Sequence, residues 1–436
     1  MFHFEERSPR QAPFWSTVSD SRSHCVPTIA PTRWPYKNAQ GIPTFLNSSW
    51  PPDLPHTASL VPFTYPNMSV FHSTMQPPNL KSQLDTARGQ GLTQTAILQH
   101  WLHRHEIPFV FSAAKAALRN ALIVGLDVEW YEHDATCITE VGVSILDPRF
   151  ITDRASAWNV LKSSINYHAR IKSTAHMVNS DFCAGYPEEF QFGKTTFVDM
   201  EEAKNMLRHS FIRFDVRGRP RPIIFVGHAV ENDVKMIKQR FGLDIFSLGV
   251  VVATIDTQVL AAENGLVSGP KKLKLSQLLA KFRITEPYLH NGGNDIFCTM
   301  IAALLIALPY PPEFNSAAYD SLKKHLQAHS KIIYGTEIFC TTCDSTRHTA
   351  EYCRAIVRCD HCASTPQRRE MANTHKTEKC PEAVKNAARA SIESSATNSV
   401  TLRYPCPCPR CIESPDPKRH ELEFAYSHLE SDCVYK

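Results

Sequence analysis

The feature that most restricts the fold is a short apolar run that ends in two carboxylates. Residues 122–129 read Leu-Ile-Val-Gly-Leu-Asp-Val-Glu. Such a run predicts a buried strand, and the alternation of side chains along a strand puts Asp127 and Glu129 on one face. Two more acidic patches open predicted helices, residues 227–233 (Gly-His-Ala-Val-Glu-Asn-Asp) and residues 290–295 (His-Asn-Gly-Gly-Asn-Asp). Carboxylates that gather together repel one another unless a cation lies between them.

These patches predict a site for two metal ions and a phosphodiester. Hydrolysis needs both the attacking and the leaving oxygen to be stabilised, which two divalent ions about 4 Å apart provide. The oxygen ligands that suit Mg²⁺ or Mn²⁺ are supplied by Asp127, Glu129, Asp233 and Asp295. His290 can accept the proton of the attacking water, because its pKa lies near working pH. Each patch alone also fits solvated acids or a helical first turn; the order of the three favours catalysis.

The periodicities along the chain alternate between strand and helix. Strands are predicted at 121–130, 137–146, 165–171, 222–227 and 254–257. Helices are predicted from Thr93 onward and at 200–211, 230–241, 273–282, 294–308 and 316–328. Strands first, and then strands alternating with helices, indicate an α/β fold with a mixed sheet flanked by helices.

Composition divides the 436 residues into segments. Residues 1–90 carry 13 of the 30 prolines without sustained periodicity, so we expect a disordered tail that could hold short motifs for protein partners. The core domain is expected at 91–312, a linker helix at 313–335, and a flexible spacer at 383–405. The net charge of +4 reveals no nucleic-acid partner by itself. Neither a cleavable signal nor a membrane span is visible, which predicts an intracellular protein of the nucleus or cytoplasm.

Ten of the fourteen cysteines follow residue 339, mostly in Cys-x2-Cys pairs that precede His-x4-Cys. This grouping predicts zinc rather than disulfides. The expected ligands are Cys340, Cys343, His348 and Cys353 for the first site, Cys359, Cys362, His375 and Cys380 for the second, and Cys408, Cys411, His428 and Cys433 for the third. The first two sites occupy residues 336–382 and the third occupies 406–436, where Cys406 or His420 could substitute as a ligand. We therefore expect two or three structural Zn²⁺ ions.

The order of the acidic motifs resembles the DEDD superfamily of 3′→5′ exonucleases, which have an RNase H-like fold. The match runs over about residues 120–308. The motifs at 227–233 and 290–295 are most similar to those of a fungal branch of RNase H-like exonucleases. The spacing from His290 to Asp295 indicates the histidine subclass, DEDDh, because position 291 is Asn rather than Tyr. The resemblance implies that Asp127, Glu129, Asp233 and Asp295 bind the metals and that His290 is the general base.

Two neighbouring features leave alternatives open. Many members of the superfamily carry Asn after the His of the second motif, whereas this chain has Ala229, so an inactive or slow enzyme is an alternative. Asp256 matches a frequent downstream position and is expected to cap the residues that follow it rather than to bind metal. The lysines at 271, 272 and 274 could contact phosphates or simply form a solvated helix entrance.

The first two cysteine-histidine motifs resemble the tandem CCHC zinc knuckles of retroelement Gag-type proteins. Such knuckles bind single-stranded RNA by stacking bases on exposed side chains. This copy has Thr341 where an aromatic residue is frequent, and Asp344 and Arg347 where glycines are usual. The sequence therefore predicts a metal-dependent 3′→5′ exonuclease acting on single-stranded nucleic acid, RNA favoured over DNA. The alternatives are a nucleic-acid-binding protein whose core has lost turnover, and a zinc-stapled protein-interaction scaffold.

Overall fold

The computed structural model describes residues 80–267, 272–308, 316–397, 408–412, 414, 425 and 433. Its strands are β1 (Leu122–Tyr131), β2 (Asp134–Leu146), β3 (Ile165–Ile171), β4 (Thr195–Val198), β5 (Ile223–Gly227) and β6 (Val251–Asp256). They form one sheet in the order β4-β3-β2-β1-β5-β6. Strand β2 runs antiparallel to β1 and β3, and the other pairs are parallel. This mixed sheet confirms the predicted RNase H-like α/β fold.

Helices cover both faces of this sheet. In the amino-terminal half they are α1 (Leu80–Gly89), α2 (Gln94–Trp101), α3 (Ser112–Arg119), α4 (Ala157–Leu161), α5 (Met200–Phe211) and α6 (Glu231–Phe241). They continue with α7 (Thr257–Glu263), α8 (Leu275–Lys281), α9 (Gly292–Ala307), α10 (Ser316–His329), α11 (Asp360–Ser364), α12 (Pro381–Thr397) and α13 (Pro409–Ile412). No helix in the described part of the chain is both long and apolar enough to cross a membrane.

Alternation along β1 separates two apolar layers. Leu122, Val124 and Leu126 pack with α5 and α6 in one layer. Ile123 belongs to the other layer, which contains the almost wholly buried helix α9. Gly125 also faces α9, since a Cβ atom there would lie 2.7 Å from Ile296 Cδ1. The same alternation carries the α9 face forward along β1 to its acidic end.

Most predicted elements are found, with small shifts at their ends. Strand β3 and helix α5 have the predicted bounds, and Thr93 caps α2 by accepting a hydrogen bond from the Ala96 N–H at 3.1 Å. The short strand β4 and the helices α3, α4 and α7 were not predicted. They are only four to eight residues long, too short for a periodic pattern to stand out.

Two segments expected to lack structure contain helices. Helix α1 begins at Leu80, inside the expected tail, and its residues Leu84 and Ala87 are buried in the same apolar layer as α2. The proline-rich composition upstream concealed this spacing. Helix α12 occupies part of the expected spacer at 383–405, because residues 381–397 are rich in Ala, which favours helix. Residues 1–79, with the docking motifs expected there, lie outside the described residues, and the other domain boundaries stay predictions.

Candidate active site

Asp127 and Glu129 lie at the carboxyl end of β1, on the face turned toward α9. In the β1–β2 register Asp127 stands opposite Gly142, and Glu129 stands opposite Glu140. A Cβ atom on Gly292, in the first turn of α9, would lie 3.5 Å from Asp127 Oδ2. The structure thus brings the first acidic motif against the start of the helix that carries the last one.

Asp233 reaches the same place from α6. It is buried, and its Oδ1 accepts a hydrogen bond from the backbone N–H of Val128 at 3.1 Å. The turn before α6 passes through Ala229, whose φ of 58° lies in the left-handed region. The carboxylate of Asp256 accepts a hydrogen bond from the Ala229 N–H at 3.3 Å, which helps to hold this turn. The second motif is therefore held against the end of β1 by the hydrogen bond from Val128 to Asp233 on α6.

His290 and Asp295 lie at the amino-terminal end of α9. Asn291 caps the helix by accepting a hydrogen bond from the Asn294 N–H at 3.0 Å. Asp295 Oδ2 accepts from the backbone N–H of His290 at 3.1 Å, and His290 adopts a left-handed φ of 66°. A ligand atom from each of Glu129, His290 and Asp295 lies within 4.8 Å of the others. His290 is exposed as a residue and lies at the rim of the site, although its ring is partly buried.

The carboxylates repel one another strongly. Burial raises the pKa of Asp127 to about 7, and the charge of Glu140 adds to the effect. The pKa values of Glu129, Asp233 and Asp295 are also raised well above the ordinary range, first by burial and then by the neighbouring acids. Such a cluster gains stability from protons or from cations placed between the charges.

The donor set fits divalent metal ions. Asp127 Oδ2 and Asp295 Oδ1 are buried, and neither has a hydrogen-bond partner among the described residues. Buried polar atoms are costly without a partner, and a hard cation is a partner that such oxygens prefer. The roles assigned to Asp127, Glu129, Asp233, His290 and Asp295 stay predictions, but the structure does bring these five side chains together.

A buried pair, Glu140 and His168, supports the site and was missed in the sequence. Glu140 Oε2 lies 2.8 Å from His168 Nε2 and accepts a hydrogen bond from the Gly292 N–H at 3.1 Å. The charge of Glu140 therefore ties β2 and β3 to the start of α9 beside the candidate metal ligands. A single Glu within the apolar run 138–146 was the available signal. Its partner, 28 residues away on another strand, could not be read from the sequence.

Three of the other candidate residues, Asp256, Lys272 and Lys274, lie in the described part of the chain. Asp256 caps α7 by accepting a hydrogen bond from the Gln258 N–H at 2.8 Å, which confirms the expected capping role. Lys274 precedes α8. Burial of His290 lowers the pKa of its imidazole, and the charge of Lys274 adds to the effect. Burial lowers the pKa of His228, and the charge of Lys272 adds a smaller effect in the same direction. Lys271 lies outside the described residues.

The cysteine-histidine tail forms three clusters. Within each cluster, the ligand atoms lie within 4.8 Å of one another. The clusters are Cys340, Cys343, His348 and Cys353; Cys359, Cys362, His375 and Cys380; and Cys408, Cys411 and Cys433. This grouping is compatible with zinc held by thiolate and imidazole ligands. His428, Cys406 and His420 lie outside the described residues, so the fourth ligand of the third cluster stays a prediction.

The first two clusters are locked to each other and to the sheet. Asp344 has a left-handed φ of 69°, and its carboxylate accepts hydrogen bonds from Lys376, at 2.8 Å, and from Lys379. Its position, where a glycine is usual, is therefore used to clamp the two modules together. The rings of Phe339 and Phe197 lie 5.3 Å apart, which fixes the first module beside the edge strand β4.

Residues 122–306 match the family described as "DEDDh_C: DNA polymerase III subunit epsilon-like, C-terminal domain". This match confirms the resemblance to DEDDh-type exonucleases.

Two curated proteins of Saccharomyces cerevisiae are similar to the same part of the chain. One is "Uncharacterized protein YDR514C", 24% identical over 204 residues, which are 41% of this chain and 39% of that protein. The other is "Good for full DBP5 activity protein 2", 25% identical over 206 residues, which are 42% of this chain and 35% of that protein. The chain thus spans less than half the length of either relative. A crystal structure of an Escherichia coli ExoI–ssDNA complex in its zinc-bound form is 12% identical, with a TM-score of 0.28 over 47% of this chain and 43% of that one.

Proposed function

We propose that the protein is a metal-dependent 3′→5′ exonuclease that hydrolyses single-stranded nucleic acid, with RNA favoured over DNA. The observation that supports this most is the convergence of Asp127, Glu129, Asp233 and Asp295, with two buried carboxylate oxygens that have no partner among the described residues. In a metal-dependent nuclease, such a cluster of carboxylates binds the metal ions that stabilise the reacting oxygens.

In this proposal the four carboxylates hold two Mg²⁺ or Mn²⁺ ions. When bound, the ions neutralise the charge that develops on the attacking and leaving oxygens and lower the pKa of a bound water. The chain's own contribution is to fix the oxygens from three directions: β1, the first turn of α6 and the first turn of α9.

His290 is the proposed proton acceptor. It lies at the rim of the site and has a ring nitrogen within 4.8 Å of oxygens of Glu129 and Asp295. Burial of the ring, and then the charge of Lys274, lower the pKa of His290, which favours the neutral imidazole that can take up a proton. The left-handed backbone at this residue is the kind of strain that a packed surrounding maintains at functional positions.

The zinc-binding tail is proposed to hold the single strand. Tyr352 is 69% exposed and Ile356 fully exposed in the first module, and Arg354 lies between them. An exposed aromatic ring beside basic side chains offers a base a stacking surface and its phosphates a counter-charge. Tyr352 supplies the aromatic surface that Thr341 does not.

Two rival functions follow from specific observations. Ala229 replaces a residue that many members of the superfamily use, which favours a nucleic-acid-binding protein without turnover. The tight clamp between the two zinc modules favours a scaffold in which zinc has only a structural role.

The test uses the full chain with single strands of RNA and of DNA labelled at either end. The proposal predicts shortening from the 3′ end with Mg²⁺ or Mn²⁺ and none with EDTA. Asp233→Asn should abolish it, because one buried oxygen ligand is lost, whereas Glu231→Gln, an exposed acid on the same helix, should cleave like wild type. Binding without shortening would favour the inactive core, and neither binding nor shortening would favour the scaffold.

A further inference from the structure

Residues 179–186, here called the rim loop, follow β3 and border the candidate active site. At one end the rim loop wraps a single carboxylate. Glu132, just after β1, accepts hydrogen bonds from four consecutive backbone N–H groups of residues 180–183, at 2.7 to 3.2 Å. The side chain of Asn179 also bonds the backbone at Trp130 and Glu132. The loop conformation therefore depends on this carboxylate, which is held within a ring of amides.

At its other end the rim loop contacts the segment that carries the proposed base. The backbone N–H of Tyr186 donates to the carbonyl oxygen of His290 at 3.3 Å. The Asn291 side chain donates in return to the Tyr186 carbonyl oxygen at 2.9 Å. The rings of Tyr186 and Tyr288 meet edge to face, 5.7 Å apart. The left-handed backbone of His290 is thus supported from the loop side by Tyr186.

At the first of these ends, Asp181 also connects the rim loop to the zinc-binding tail. Its Oδ2 lies 2.7 Å from His133 Nε2 and also accepts a hydrogen bond from Lys385 of α12. The Lys385 side chain is 19% exposed and that of Asp181 is 41% exposed, so water screens this ion pair in part. The bond from Lys385, followed by the one from His133, lowers the pKa of Asp181 to about 2.

Helix α12 is itself an extension of the second zinc module. It begins at Pro381, directly after the cluster residue Cys380. Glu382 accepts a hydrogen bond from Arg368 at 2.7 Å, and the Asn386 side chain lies 3.3 Å from His361 Nε2. Arg368 and His361 both lie between the module's first and last cysteines, so the helix direction follows from the fold of the module.

We propose that Asp181 is a positioning residue for His290, braced by Lys385, so that the second zinc module supports the active site of the exonuclease from outside it. This inference rests on the proposed function for its effect on catalysis. The contacts run from the Cys380 cluster through α12 to Asp181, and from the rim loop to the backbone of His290. The tail then acts as a brace for the base as well as a surface that holds substrate.

A brace and a substrate grip have different kinetic signatures. Loss of a substrate-binding surface raises KM. Loss of the support for His290 lowers kcat, because bound substrate then meets a poorly placed base. We expect Lys385→Ala and Asp181→Asn each to lower kcat about threefold to tenfold with KM within about twofold. The kcat of the double variant should be no lower than that of the slower single variant. Lys385→Arg should keep most of the wild-type kcat.

Amide hydrogen exchange tests the brace without reference to catalysis. In the full-length protein Lys385→Ala and Cys362→Ser should speed exchange at the amides of residues 180–183 and 186 by about threefold to tenfold. Cys411→Ser, which removes a ligand from the third cluster, is the matched control and should leave these amides unchanged. Unchanged exchange in Lys385→Ala, or a loss confined to KM, would overturn the inference.

The two proposals can fail separately. If the wild-type chain cleaves no strand under any condition, the proposed function fails, and the exchange measurement alone decides the brace. If the wild type cleaves and Lys385→Ala matches it in kcat and in exchange, the nuclease stands and the brace is rejected.

Discussion

The backbones of Gly142 and Gly292 touch, and this contact sets the depth at which α9 enters the site. A Cβ atom on Gly142 would lie 1.9 Å from the carbonyl oxygen of Gly292, far inside any permitted distance. Gly142 stands opposite Asp127 on β2, so the contact places the first turn of α9 directly over the β1 carboxylates. No side chain fits between strand and helix at this point.

Gly142→Ala is therefore expected to push α9 away from β1. Overpacking of this kind lowers the free energy of unfolding by about 1–3 kcal/mol, and the separation of Asp295 from Asp127 should also weaken Mg²⁺ binding. Gly89→Ala is the control, because a Cβ atom there meets nothing within 4 Å. Urea unfolding of both variants checks the prediction, and equal stability of the two would contradict the close contact.

Mg²⁺ should stabilise the protein more at pH 8 than at pH 6. The raised pKa of Asp127, about 7, keeps protons on the folded metal-free site while the unfolded carboxyls are ionised. Metal-free stability therefore falls as the pH rises from about 4 toward 7, and a cation that replaces those protons restores it. Thermal melts with Mg²⁺ or EDTA measure this difference, which should shrink in Asp127→Asn. A larger Mg²⁺ effect at pH 6 would contradict the sign.

The tail should bind zinc independently of the carboxylate site. Metal analysis of the wild type is expected to give two Zn²⁺ ions per chain, or three if the third cluster is complete. Cys362→Ser should lose one ion, because a cluster that lacks one of its four ligands is no longer closed. Cys137→Ser, a thiol on β2, should keep them all. Zinc loss from both variants, or from neither, would contradict the assigned ligands.

Asp147 should contribute to stability at neutral pH and lose that contribution in acid. Burial alone would raise its pKa, but bonds from Arg149 and Arg221 outweigh burial and bring the pKa to about 2. The stabilisation is present above the unfolded pKa of about 4 and is lost as the pH falls toward 2. Asp147→Asn should cost about 1–2 kcal/mol at pH 7, after allowance for screening by water. The cost should disappear near pH 2.

Asp320→Asn, an exposed acid on α10, is the control for this titration and should cost little at any pH. Denaturant unfolding between pH 2 and pH 7 makes the comparison. A cost for Asp147→Asn that is constant over this range would show that the ionised carboxylate is not its source.

The sequence predicted the elements with strong local patterns and the acids at their ends. The alternation in 122–129 and the helical spacing of 200–211 are local, so strand β1 and helix α5 were predictable from neighbours in the chain. The gathering of Asp127, Asp233 and Asp295 followed from motif order and family resemblance. Chain geometry alone does not bring residues about a hundred positions apart together.

What escaped prediction depends on long-range contacts. Glu140 finds its partner His168 on the next strand, and Gly142 meets Gly292 across 150 residues. The rim loop has no regular structure of its own, and its shape follows from the Glu132 carboxylate. Helix α12 was missed although its Ala-rich stretch has helix propensity. These contacts decide how precisely the site is held, and they are visible only in the folded chain.

The central claim is that the carboxylates hold the metals while His290 moves a proton. Its most direct test counts Mn²⁺ ions by electron paramagnetic resonance and times cleavage of a 3′-labelled strand in the same samples. We expect His290→Ala to keep wild-type Mn²⁺ binding and to cleave about a hundredfold to ten-thousandfold more slowly. Asp127→Asn should lose both. Equal loss of Mn²⁺ in the two variants would contradict the roles assigned to these residues.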